Sequence, residues 1–147
     1  MLEGTFNLRL VKSVKRRHIW AQKMADRFTP GIPDIYIAGG NWIESKVVQI
    51  GGQRGRSVDL SNKMTEEQHN WAAAALTSED RVMFCARIET PDSKHLMLIP
   101  YRLLIAQEIW DGHELRSYPE IKSEKDYDLD EFFNRDWHDN INPHWYY

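Results

Sequence analysis

A short apolar run, a glycine-rich turn and a longer alternating run stand in one stretch of this chain: Ile35-Tyr36-Ile37-Ala38, Gly39-Gly40-Asn41 and Trp42 to Ile50. This pattern predicts a β-hairpin. Side chains alternate across a strand, so Glu44, Lys46 and Val48 share one face and Ile43, Ser45 and Val47 the other. Asp34, at the start of the first strand, is predicted at the same end of the hairpin as Glu44. Two carboxylates and a lysine are thereby fixed relative to each other before the rest of the fold is considered.

That geometry has a chemistry. Hard divalent cations take carboxylate oxygens, and Mg²⁺ keeps several waters, so two or three protein ligands suffice. A lysine beside such a pair can hold a water or stabilise developing negative charge. Together these groups suit metal-assisted phosphodiester cleavage. The bland alternative is a surface salt bridge, worth about 0–1 kcal/mol.

The remaining chain supplies the frame. Residues 5–27 read as a helix, with Phe6, Leu10, Val14, Ile19, Trp20 and Met24 at approximate helical recurrence, Thr5 as a cap and His18 as a candidate break. Pro30 and Pro33 force an extended entry into the hairpin. Residues 51–63 read as a basic loop. Thr65-Glu66-Glu67-Gln68 is a capping box opening a helix to about Ser78. Strands follow over Arg81–Glu89 and His95–Ile99, then a helix from Pro100 to about Trp110. The order α-β-β-α-β-β-α implies an α/β fold, a mixed sheet flanked by helices. Residues 1–110 form the expected core. Residues 111–147 form an acidic, aromatic and irregular C-terminal extension, expected to lie on the core or at an interface.

Composition narrows the classes. With 147 residues and 41% hydrophobic content, the chain supports one domain with a real core. No apolar run reaches the roughly 20 residues of a membrane span, and the N-terminus lacks a signal-peptide pattern. The single cysteine, Cys85, excludes an intramolecular disulfide. A cytoplasmic setting with no membrane partner is the expectation. The net charge of −3 hides a polarity: residues 1–63 hold 11 Lys/Arg against 5 Asp/Glu, and the remainder 8 against 17. Basic surface attracts polyanions. Arg54, Arg56 and Lys63 in the loop, and Lys12, Lys15, Arg16 and Arg17 on the first helix, are candidate DNA contacts; a solvated face is the alternative for each group. Trp42 and Trp71 are assigned to core packing ahead of base stacking. The C-terminal His138, Asp139 and His144 are too loosely spaced to specify a metal site.

Three segments in order resemble the PD-(D/E)xK nuclease superfamily, whose fold is restriction-endonuclease-like, and within it the virus-type replication-repair nuclease (VRR-NUC) branch. They are Gly31-Ile32-Pro33-Asp34, Ile43-Glu44-Ser45-Lys46 and Met64-Thr65-Glu66-Glu67-Gln68-His69-Asn70-Trp71. The resemblance implies a Mg²⁺- or Mn²⁺-dependent DNA endonuclease of phage or mobile-element type. Structure-specific (junction or flap) and homing nucleases share the motif. Asp34 and Glu44 would bind the metal together with the Ser45 or Ile43 backbone carbonyl, Lys46 would position water, and Gln68 would approach the site. An acid on the first helix often completes such sites, and Glu3 is the one available before Asp26. DNA is the implied partner, with a homodimer if both strands are cut. A catalytically silent nucleic-acid-binding module is the alternative of another class.

Overall fold

The computed structural model describes residues 1–24, 30–51, 57–127 and 129. Its centre is a five-stranded mixed sheet in the order β1-β2-β3-β5-β6. These strands are β1 (Ala21–Lys23), β2 (Ile35–Ile37), β3 (Asn41–Gln49), β5 (Arg81–Glu89) and β6 (Lys94–Pro100). The two long central strands β3 and β5 run parallel, with Glu44 opposite Phe84, and every other pair in this sheet is antiparallel. A parallel pair needs a crossover. Here it contains β4 (Ser57–Asp59), a 3-10 turn at Ser61–Lys63 and α2 (Glu66–Thr77). The fold is α/β, a mixed sheet flanked by helices, as the sequence pattern predicts.

Each sheet face has its own core. Helix α1 (Glu3–Lys15) lays Phe6, Leu10, Val11 and Val14 on Ile35, Ile37, Ile43, Met83 and Cys85. Helix α2 lays Ala72 and Ala75 on the opposite face, against Val82, Phe84, Ala86 and Ile88. Strand β5 is buried over both faces from Val82 to Ile88, which is why alternation is absent from its burial. Full burial of one such aliphatic or aromatic side chain contributes about 1.5–3 kcal/mol.

Three elements differ from the sequence expectation. The helix predicted over 5–27 ends at Lys15; His18 turns the chain at φ 59°, and Ala21–Lys23 pairs with β2 as an edge strand. The apolar stripe of α1 stops at Val14, and a three-residue strand is too short to show alternation. Residues 25–29 of the predicted span lie outside the described residues. Thr5 is not the cap, because the helix begins at Glu3 with Leu2 in the cap position. The helix predicted from Pro100 to Trp110 is α3 (Tyr101–Ala106), with Pro100 as its cap, followed by β7 (Ile109–Asp111). Strand β7 pairs with β4, so part of the predicted loop 51–63 belongs to a small second sheet. These additions change the order to α-β-β-β-β-α-β-β-α-β-α, with α4 at Gly112–Leu115.

Beyond residue 110 the described chain stays in contact with this frame. Leu115 joins the α2-side core, and Ile121, Tyr127 and Leu129 join the α1-side core, with Tyr127 packed at 5.9 Å from Phe6. Arg9 donates to the Tyr127 hydroxyl at 3.3 Å.

One close approach aligns α2 with the hairpin. Gly31 has φ 79°, and a Cβ there would collide with the Glu67 carbonyl and lie 2.7 Å from the Gln68 nitrogen. The loop into Asp34 is thus pressed on the first turn of α2. Gly31→Ala is expected to destabilise the protein by about 1–3 kcal/mol, through backbone strain and this collision. Urea denaturation at constant m measures it.

Candidate active site

The site lies where β2, β3 and the first turn of α2 meet. Glu44 is 1% exposed in the middle of β3. Its Oε1 accepts from Gln68 Nε2 at 2.9 Å and lies 3.5 Å from Lys46 Nζ. Its Oε2 is buried with no hydrogen-bond partner. Asp34, half-buried just before β2, accepts at Oδ2 from the Ser45 N–H (2.9 Å) and the Ser45 hydroxyl (3.2 Å). Burial first, and the charge of Asp34 second, push the Glu44 carboxyl from its usual 4.5 up to about 9; Lys46 pulls against both.

Gln68 joins the helix start to the site. Thr65 Oγ1 accepts from the Gln68 N–H at 3.2 Å, and Gln68 Oε1 accepts from the Thr65 N–H at 2.9 Å. This capping box occupies the amide oxygen and leaves the amide nitrogen directed at Glu44.

The structure therefore brings Asp34, Glu44, Ser45, Lys46 and Gln68 together. Glu3 is exposed at the start of α1. One turn further along α1, the buried Asn7 accepts from the Ser45 hydroxyl through Oδ1, on the α1 side of the sheet. The resemblance points to an acid on the first helix, and the polar residue that reaches Ser45 from that helix is the uncharged Asn7. A buried polar residue between Phe6 and Leu10 on the apolar stripe was its available signal.

The basic candidates are dispersed. Lys12, Lys15 and Arg16 line a groove of about 700 Å³ with Arg9, Leu8 and Glu124 on the outer side of α1. That helix covers the sheet face opposite α2, so the groove is across the sheet from Lys46. Arg17 follows the helix. Lys63 is exposed at the end of the 3-10 turn before α2. Arg54 and Arg56 lie outside the described residues, as do His138, Asp139 and His144. Cys85 is fully buried, and burial pushes its thiol up, consistent with inert packing.

The donor set fits a hard divalent cation. A buried carboxylate oxygen without a partner, beside a second carboxylate, is costly unless protonated or paired with positive charge. Among the described residues no three His, Cys, Asp or Glu side chains gather into a metal-holding group. A cation here would rest on two carboxylates, backbone oxygen and water, a set suited to Mg²⁺.

No protein-family model matches the chain, and no curated protein matches it. Among solved structures, the Holliday junction resolvase Hjc of the archaeal hyperthermophile Archaeoglobus fulgidus is similar, with a TM-score of 0.49 and 15% identity over 80% of this chain and 94% of that one. A likeness of that size carries no weight for what this chain does. Among the described residues no helix is long and apolar enough to cross a membrane.

Glu44 also sets a pH dependence. Its folded pKa lies above its unfolded value, so the folded state holds the extra proton. The associated stability is fully present below about pH 4.5 and is lost as pH rises towards about 9. In chelator, stability is expected to fall across that window, at a slope of up to about 1.4 kcal/mol per pH unit. Glu44→Gln is expected to flatten the slope and to gain over the wild type as pH rises. Denaturant melts at pH 5, 7 and 9 measure both; parallel profiles for the two proteins would refute the assignment.

Proposed function

We propose that this protein is a divalent-metal-dependent DNA endonuclease of PD-(D/E)xK type. The observation that carries this reading is the buried Glu44 carboxyl set against a second carboxylate, Asp34, with Lys46 on the same strand face. A structural salt bridge would explain Lys46 beside Glu44. It would not explain a second carboxylate brought to a buried one.

In this reading Asp34 and Glu44 hold Mg²⁺ or Mn²⁺, with backbone oxygen of the Ile43–Ser45 segment. The bound cation supplies Lewis-acid polarisation of the scissile phosphate. Asp34 is oriented by the Ser45 N–H, with the Ser45 hydroxyl shared between it and Asn7, so its carboxylate is placed before substrate arrives. Gln68 fixes Glu44 through Oε1 and leaves Oε2 for the ligand role. Lys46 holds the attacking water and offsets charge developing on the phosphate. Attack of the water on phosphorus would form a P–O bond and break the bond to the 3′ oxygen. The water gives up a proton to solvent, the 3′ oxygen takes one from solvent to leave as a hydroxyl, and the other product keeps a 5′-phosphate. The described residues present one such site, so cutting both strands of a duplex there would call for two copies.

The experiment is cleavage of supercoiled, linear, single-stranded, flap and four-way-junction DNA with Mg²⁺, Mn²⁺ or EDTA. Metal-dependent cleavage of at least one substrate is expected. Firm binding with no cleavage by any metal would leave a binding module in place of an enzyme. Asp34→Asn and Glu44→Gln are expected to abolish cleavage while DNA binding survives. Lys46→Ala is expected to lower turnover by on the order of 10². Single-turnover rates, with circular dichroism to confirm folding, decide these outcomes. Among the substrates, the flap and junction test for a structure-specific enzyme, and the supercoiled plasmid distinguishes nicking from double-strand cleavage.

A further inference from the structure

The sheet face that carries Glu44 and Lys46 also carries an aromatic series. Trp20, Tyr36, Trp42 and Trp71 follow one another, with centroid separations of 5.7, 4.6 and 4.7 Å. Trp42 and Tyr36 are cross-strand partners, and Trp42 precedes Glu44 by two residues on the same face. The row of Tyr36 and Trp42 therefore lies roughly 6.6 Å along the sheet from the row of Asp34 and Glu44. Trp20, whose carbonyl accepts from the Ala38 N–H, lies one row further on.

The series changes character along its length. Trp71 projects from α2 onto Trp42, which is held under that helix, and Trp42 Nε1 donates to Asp80 at 3.0 Å. Tyr36 is half-buried, and its hydroxyl accepts from the Gly40 N–H at 3.3 Å. Trp20 is 55% exposed, next to the exposed Gln22 and Lys23. Helix α2 covers the β5 half of this face, and among the described residues the β1–β2 half is open at Trp20. An indole in edge contact with a tyrosine ring, with half its surface exposed, is poorly explained by core packing. It fits a planar, apolar ligand group delivered by a chain whose phosphates reach the metal site.

Resting on the nuclease reading, we propose that Trp20, in edge contact with Tyr36, is a stacking platform for an unpaired base further along the strand from the cleaved phosphate, roughly 13 Å along the sheet from the Asp34–Glu44 row, so that the substrate is DNA that is single-stranded or splayed beside the cut. A fully paired duplex keeps its base faces stacked on each other and offers none to an indole. Stacking on an aromatic side chain tolerates any base, because every base has a π-face. The platform therefore selects for strand state and not for sequence.

The test uses the full chain in EDTA, where no cutting occurs, with fluorescein-labelled single-stranded, flap and blunt duplex DNA of one sequence. Trp20→Ala is expected to weaken single-strand and flap binding by at least about 5-fold, the low end for loss of one stacked base. Duplex binding should be unchanged, and Trp20→Phe should retain most of the affinity. Equal loss on all three DNAs, or no loss on any, overturns the platform. A lowered melting temperature with unchanged DNA binding also overturns it and assigns Trp20 to a contact within the protein. The two readings fail separately when Mg²⁺ or Mn²⁺ is added. Cleavage that is indifferent to Trp20 removes the platform and leaves the nuclease; Trp20-dependent binding by a wild-type protein that never cuts does the reverse.

Discussion

A carboxylate buried in the middle of a sheet is the constraint around which the hairpin and α2 are arranged. Glu44 occupies a position where the same face of β5 offers Phe84 and Ala86. Leaving an ionised group there unpaired costs several kcal/mol. The chain answers with a lysine two residues on, a glutamine from the next helix and a proton held well beyond the usual range. It then adds Asp34, which raises the cost. A stability-driven arrangement would omit that second acid. The local conflict between packing and charge is of the kind that marks functional sites.

The division of labour between the two sheet faces follows from strand alternation. On β3 the odd positions Ile43 and Ser45 serve the α1 side, where Ser45 meets Asn7. The even positions Trp42, Glu44 and Lys46 serve the α2 side. Asp34 is tied to Ser45 through both backbone and hydroxyl, so it draws on both sides. The hairpin and both helices therefore contribute to the placement of one carboxylate pair.

The hairpin and the Thr65 capping box were legible because each is a local pattern with one structural solution: a two-residue period around Gly39-Gly40, and a reciprocal bond between residues three apart. Their union at Glu44 is no local pattern: the approach of Gln68 to the site is what the resemblance to the PD-(D/E)xK superfamily implies, and the contact itself is tertiary. What escaped was short or set by tertiary contact. Strands β1, β4 and β7 have three residues each, too few to display a period, and their pairing is decided by partners distant in sequence. The first helix was drawn too long because Ile19, Trp20 and Met24 continue its spacing by coincidence. Asn7 carries no charge to mark it as a ligand, although its place between Phe6 and Leu10 on the apolar stripe is legible in the sequence.

The amide of Gln68 is held at both ends, by the Thr65 backbone at its oxygen and by Glu44 at its nitrogen. Rotating it by half a turn would set oxygen against oxygen and nitrogen against a backbone donor. The first turn of α2 thereby acts as a polarity gauge: its amide nitrogen is satisfied only when a hydrogen-bond acceptor stands at position 44. The bonds that begin the helix and one of the bonds that orient the acid share a single side chain.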